Sequence, residues 1–304
     1  MNNVKPKIVA LVVTFNRKEL LIECLLAILN QSSPVDEIVV IDNNSSDGTD
    51  ELFNENYFQT DKITYQKLAS NLGGAGGFYE GIKYIINHVT FDWLWLMDDD
   101  TIAQKNTVAN ALQDVAVLPA NISFLASSVY GPDNEPMNVP VISNEKSSNG
   151  YKDWYRYLEH GVVQIAQATF VSLFINQEAI KTVGLPIKEY FIWGDDTEYT
   201  RRLIAKYGPA YFSGSSQVLH KRFNAKPLSL VDEENEQRVA IYQYYYRNTL
   251  LNAKKYVGKQ GVLKEYLINL RDMKDIAFKK EKKHKVKKIN AILMGTKNYW
   301  FSKL

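Results

Sequence analysis

Hydrophobic residues in the first hundred positions come as short unbroken runs separated by helically spaced stretches. Ile8-Val9-Ala10-Leu11-Val12-Val13-Thr14-Phe15 reads as a strand buried on both faces, since no charge interrupts it. Arg17 to Leu29 carries helical spacing, with Leu20, Leu21, Cys24, Leu25 and Ile28 on one face. Ile38-Val39-Val40-Ile41 is a second strand, and Ser46 and Asp47 offer a cap to a helix over Thr49 to Asn54. Ile63 to Gln66 predicts a short strand, Asn71 to Gly77 a glycine-rich loop, and Phe78 to Asn87 a helix. Trp93 to Met97 predicts a further strand. This alternation implies an α/β fold: a mainly parallel, Rossmann-like, doubly wound sheet flanked by helices.

Beyond Thr101 the pattern changes. Asn121 to Tyr130 and Val162 to Ile175 read as strands around a polar excursion at roughly 131–150. Gly194-Asp195-Asp196-Thr197-Glu198 opens a helix running to about Tyr207. From Leu230 onward the spacing is helical, which predicts a main domain over 1–225 and a helical C-terminal extension over 226–304. No internal repeat is present.

Candidate chemistry collects where strands end. In doubly wound sheets ligands bind beyond the carboxyl ends of the strands. Those ends here are Thr14-Phe15-Asn16-Arg17, Asp42-Asn43-Asn44 and Asp98-Asp99-Asp100. Three adjacent acids repel one another, and hard oxygen donors suit Mg²⁺ or Mn²⁺ holding substrate phosphates. The competing reading is a solvated acidic turn capping the next helix. The Asn71-Leu72-Gly73-Gly74-Ala75-Gly76-Gly77 loop either brings backbone close to an anion or only allows tight helix packing. It matches neither the dinucleotide fingerprint nor the P-loop. Asp195 and Asp196 are favoured at a helix start by the macrodipole alone, or one of them is a general base. Trp193 beside them is a sugar-stacking wall or core. His220 is a structural histidine, or a metal or phosphate contact.

Composition narrows this further. The chain has 304 residues, 45% hydrophobic and 23% charged, ordinary for a globular protein. Cys24 is its single cysteine, so no internal disulfide forms, and its apolar helical setting makes it core filler in a reducing compartment. No secretory signal and no apolar stretch of roughly 18 residues is seen, so no membrane-spanning helix is expected. Lys279, Lys280, Lys282, Lys283, Lys285, Lys287 and Lys288 gather near the end, followed by Ile289, Ile292, Leu293, Met294, Tyr299, Trp300 and Phe301. This suits peripheral contact with anionic membrane, or simply a solvated helix and packed tail. Lysines confined to one tail, beside an acidic centre, argue against nucleic acid as a partner.

Taken in order, these motifs resemble the family 2 inverting glycosyltransferases of the GT-A fold. The resemblance covers roughly residues 7 to 225, and the Asn71 glycine loop, Trp-x-Asp-Asp and later histidine are most similar to the galactofuranosyltransferase and rhamnosyltransferase branch. It implies a nucleotide-sugar donor, UDP-galactofuranose or alternatively dTDP-rhamnose, and a lipid-linked glycan acceptor that is a cell-surface polysaccharide precursor. The implied donor contacts are Asp42 and Asn43, the Thr14, Phe15, Asn16 and Arg17 turn, and Asn71, Gly73 and Gly74. Asp98, Asp100 and His220 would hold Mn²⁺ or Mg²⁺, and Asp99 would line the sugar pocket. Asp196 matches the family base, with Asp195 and Trp193 contacting sugar. The implied location is cytoplasmic, at the inner face of the cell membrane. A nucleotidyltransferase is disfavoured by the absence of a glycine-rich basic loop after the first strand. A binding module without turnover has no need for a separate base.

Overall fold

The computed structural model describes residues 5–55, 57–222, 228–278 and 283–304. Its backbone divides into two compact units. One comprises residues 1–188 and 199–225, and the other comprises Glu189–Glu198 and residues 226–304 with the C-terminal helices. The boundary expected between 225 and 226 falls among residues outside the description.

The first unit opens with β1 (Ile8–Thr14), α1 (Lys18–Leu29), β2 (Glu37–Asp42), α2 (Glu51–Asn54), β3 (Ile63–Lys67), α3 (Gly73–His88) and β4 (Trp93–Asp98). The four strands lie in the order β3-β2-β1-β4, all parallel. Alternation along β1 shows why both faces had to be apolar. Val9, Leu11 and Val13 pack with Phe78, Ile82 and Ile85 of α3, while Ile8, Ala10 and Val12 pack with Leu21, Cys24, Leu25 and Ile28 of α1.

The sheet continues through β5 (Thr101–Ala103), α4 (Thr107–Val117), β6 (Phe124–Tyr130), β7 (Pro136–Met137), β8 (Val141–Ile142), β9 (Val162–Gln167), β10 (Leu173–Asn176), α5 (Gln177–Val183), α6 (Asp195–Lys206) and β11 (Ala210–His220). From β4 the order runs β10-β6-β11-β9-β8, and β10 is antiparallel to both β4 and β6. The result is a mixed sheet with a fully parallel half.

Several local expectations are corrected. Val162 to Ile175 is two strands in different places, because the chain turns at Ala168, whose N–H and C=O both bond the Thr200 hydroxyl. The 131–150 excursion contains β7 and β8. Helix α3 begins at Gly73, five residues earlier than expected, so most of the glycines are helical. A Cβ on Gly77 would come within 2.5 Å of Val13 Cγ1, and one on Gly81 within 2.5 Å of Leu11 Cδ1, so bare glycine lets α3 lie close on the sheet. Asp47 serves two segments: its Oδ1 accepts from Thr49 N and Thr49 Oγ1 ahead of α2, and its Oδ2 accepts from Lys18 N at the start of α1.

In the second unit α7 (Glu236–Tyr256), α8 (Lys259–Phe278) and α9 (Lys285–Phe301) enclose Tyr242, Tyr246, Ile276, Ala291 and Ile292. Asn235 caps α7 by accepting from Gln237 N and Arg238 N. The basic cluster is not uniformly solvated. Lys288 is buried and donates to Val231 O at 3.0 Å, whereas Lys283 and Lys287 are exposed; Lys279, Lys280 and Lys282 lie outside the described residues.

Candidate active site

Parallel pairing aligns the strand ends. Thr14 pairs with Asp42 and Val13 with Asp98, so three of the expected site residues share one rim of the sheet. β5 adds a fourth contribution: it runs antiparallel to β11 with His220 opposite Thr101, which carries His220 to the acidic cluster. No local pattern marked β5, and its three residues are too few to show a period.

Asp99 and Asp100 are buried and share one cation. Arg17 Nη1 lies 3.0 Å from Asp99 Oδ1 and 2.7 Å from Asp100 Oδ2, and Thr14 Oγ1 donates to Asp99 Oδ2 at 2.8 Å. Burial pushes the Asp99 carboxyl up to about 6 against the pull of Arg17. Burial also opposes ionisation of Asp100, but its contact with His220 and the charge of Arg17 outweigh it and hold that carboxyl low. The three acids raise Arg17 in return, overcoming its own burial. Arg17 thus supplies part of the positive charge that the acidic rim requires.

Asp100 Oδ1 is the atom left over. His220 Nε2 sits 3.1 Å away, but out of line, so this buried oxygen has no hydrogen-bond partner. Among the described residues no three His, Cys, Asp or Glu side chains converge into a ready-made metal cage, and Asp98 does not complete one with Asp100 and His220. An orphaned carboxylate oxygen beside an imidazole nitrogen nevertheless suits a divalent cation.

The neighbouring turns are tied together by side chains. Asp42 accepts from Ser45 N at 2.8 Å and from Tyr65 OH at 2.6 Å. Asn43 Nδ2 donates to Gly73 O, its Oδ1 accepts from Leu72 N, and Asn71 Oδ1 accepts from Gly73 N. Asn16, with φ of 52°, accepts from Ser46 N. Phe15 beside it is exposed. A Cβ on Gly74 would meet nothing within 4 Å, so packing does not explain that glycine.

Asp195 and Asp196 start α6 after an unusual turn. Phe191, Trp193 and Gly194 all have left-handed backbones, at φ of 65°, 61° and 87°. For Phe and Trp that conformation costs energy and persists only where surroundings impose it. The imposing residues are on α7. Asn248 Nδ2 faces the carbonyls of Tyr190, Ile192 and Trp193, Arg247 Nη2 those of Glu189 and Tyr190, and Asn252 Nδ2 that of Gly194. Sequence reading passed over these residues because a polar position in a tyrosine-rich helix carries no signal of its own. Trp193 packs on Tyr242, ring centroids 4.8 Å apart, which commits part of its surface to the core.

Burial, then the charge of Asp196, pushes the Asp195 carboxyl up to about 7. Burial also raises Asp196, although its Oδ1 accepts from Thr197 N. An acid raised on folding favours the folded state most when protonated in both states. This contribution is complete below about 4 and is lost as pH climbs through about 7. The expected result is lower stability at pH 8 than at pH 5, by an amount on the order of a few kcal/mol. Asp195→Asn should flatten that dependence in urea titrations at the two pH values, and an unchanged slope would count against the buried pair.

A Rossmann-like sheet whose acidic rim gathers strand ends one, two and four, followed by a mixed half-sheet, is the architecture of GT-A glycosyltransferases. The chain belongs to glycosyl transferase family 2, whose model matches residues 9–174. Galactofuranosyltransferase GlfT1 of Mycolicibacterium smegmatis is 30% identical over 215 residues, 69% of this chain and 70% of that protein. GlfT1 of Mycobacterium tuberculosis is 28% identical over 199 residues, and the chain spans 64% of its length. A mannosyltransferase from Pyrobaculum calidifontis in complex with GDP-Man and Mn²⁺ superposes with a TM-score of 0.58 at 15% identity, over 99% of this chain and 89% of that one. S. aureus TarS 1–349 does so at 0.55 and 15% identity, over 97% and 91%. At such identity these two show a shared fold. The sequence relatives place the chain in the galactofuranosyltransferase branch of the family.

Proposed function

We propose that this glycosyltransferase moves galactofuranose from UDP-galactofuranose to a hydroxyl of a cell-surface polysaccharide precursor, with inversion at the anomeric carbon. The observation that carries the donor assignment is the 30% identity with a galactofuranosyltransferase across more than two thirds of both chains. Asp42, Asn43, Asn71 and the Thr14–Arg17 turn receive the nucleotide, and the amino end of α3 at Gly73 and Gly74 faces the diphosphate. Asp100 and His220 would hold a Mn²⁺ or Mg²⁺, with Asp98 drawn in as a further ligand, and Asp99 would line the sugar pocket. The cation, when bound, stabilises negative charge on the departing diphosphate. Arg17, already beside Asp100, supplies a second positive group on the same side. Asp196 takes the proton of the attacking hydroxyl, and burial, by raising its carboxyl, makes it a stronger base than an exposed aspartate. Asp195 and Trp193 contact sugar. The donor-binding chemistry belongs to residues 1–225 and the extension over 226–304 serves acceptor delivery.

Release of UDP from UDP-galactofuranose, dependent on Mn²⁺ or Mg²⁺ and stopped by EDTA, is the expected result with a panel of nucleotide sugars. Turnover of dTDP-rhamnose instead would reassign the donor. Turnover unaffected by EDTA would remove the metal.

The acceptor is lipid-linked, and the enzyme works at the inner face of the membrane through its last two helices. Among the described residues no helix is long and apolar enough to cross a bilayer. The outward faces are nevertheless apolar in register: Leu263, Leu267 and Leu270 on α8, and Val286, Leu293 and Trp300 on α9, with Phe301 beside them, are all exposed. Exposed Lys283 and Lys287 accompany them. Full-length protein should sediment with phosphatidylglycerol vesicles but not with phosphatidylcholine. Leu267→Glu with Trp300→Glu should abolish this, and equal binding by the variant would refute the surface.

A further inference from the structure

Asn138 is held at the rim by its surroundings. It follows β7, whose Met137 is buried against Val129, Val171 and Val218. Its backbone is left-handed, with φ of 48°, a conformation asparagine adopts more readily than most residues. Its carboxamide is clamped at both ends. Nδ2 donates to Thr169 Oγ1 at 3.1 Å, and Oδ1 accepts from His220 Nδ1 at 3.0 Å. A carboxamide oxygen has no proton to give, so the proton in the second bond belongs to Nδ1. Neutral imidazole then carries its lone pair on Nε2, the atom 3.1 Å from the orphaned Asp100 Oδ1. That nitrogen and Asp100 Oδ1 lie close but out of line with each other, which leaves both open to a shared cation.

We propose that Asn138 is a positioning residue that holds His220 as its Nδ1–H tautomer, presenting Nε2 together with Asp100 Oδ1 to a divalent cation. This rests on the metal assignment given above. Thr169 takes part by fixing which way the amide faces. Ligating histidines commonly owe their orientation to such an outer acceptor, and losing it typically weakens metal binding by about 10–100-fold. The segment around Asn138 had been legible only as a polar excursion, and nothing local to it points at His220.

Nitrogen-15 spectra of the imidazole rings test the tautomer without metal, with His220→Gln identifying its signals among the four histidines. The expected spectrum has the proton on Nδ1 in the unaltered protein and loses that preference in Asn138→Ala. Paramagnetic resonance of free Mn²⁺ then reads affinity. Asn138→Ala should bind about 10–100-fold more weakly, while Asn138→Asp, whose carboxylate also accepts from Nδ1, should stay within about threefold of the parent. Thr169→Val should fall between them. Thermal melting of each variant separates this from misfolding, and the Asp variant keeps the test valid should the Ala variant unfold. A proton found on Nε2, or undiminished Mn²⁺ affinity in Asn138→Ala, overturns the inference alone. Absence of Mn²⁺ binding in the parent overturns the metal assignment and the inference together.

Discussion

Asp196→Asn should lower kcat by about 10²–10⁴-fold, the range general-base removal produces, with donor KM changed less than about twofold. The asparagine is chosen because it separates two roles of this side chain. Asp196 Oδ1 accepts from Thr197 N at 2.6 Å, a bond that helps begin α6, and an amide oxygen can still accept it. What the amide cannot do is take a proton at neutral pH. Loss of turnover in a variant that melts like its parent therefore reports the base and not the cap. Asp196→Ala removes both functions, and should match the Asn variant in kcat while also losing the bond from Thr197 N. Transfer and UDP release measured with saturating donor decide the matter. Retention of more than about a tenth of kcat in Asp196→Asn would move the base elsewhere.

Asp100→Ala should weaken Mn²⁺ binding by about 100-fold or more, because a buried carboxylate oxygen without a hydrogen bond is removed with it. The fold should survive. Arg17 keeps Asp99 at 3.0 Å, and His220 keeps Asn138, so neither neighbouring group is left alone. Activity at fixed Mn²⁺ should fall accordingly and recover in part as the metal is raised to millimolar levels. Ion binding by calorimetry, beside turnover at several metal concentrations, distinguishes a lost ligand from a damaged site. Equal affinity in parent and variant would assign the oxygen another purpose.

Both predictions rest on residues that were visible in the chain, yet their surroundings were not. The strands were readable because a strand covered on both faces must be apolar throughout, as β1 and β4 are. The polar residues at their ends stood out against those runs for the same reason. β5 was unreadable at three residues, although its pairing is what brings His220 beside Asp100. The split of 162–175 into β9 and β10 was hidden as well, because Ala168 to Ser172 is nearly as apolar as the strands it separates. Gly73 to Gly77 were read as loop, since helical propensity argues against glycine, and the close approach to Val13 that explains Gly77 is visible only in the folded chain. Lys288 was grouped with its neighbours by composition, but a buried carbonyl on Val231 gives its ammonium a partner inside.

The sequence by itself determined the parallel half of the sheet, the rim on which Thr14, Asp42 and Asp98 meet, and membership in a family defined by motifs in order. These follow from periodicity and from the rule that parallel strands end together. Tertiary structure alone decided that Arg17 is the counter-charge of Asp99 and Asp100. It alone decided that Asn138 reaches His220, and that Asn248 and Arg247 hold the left-handed turn before Asp195. Each of these depends on a hydrogen bond between residues far apart in the chain. A polar side chain shows its partner only once folding has taken water away from it and left a single geometry in which it is satisfied.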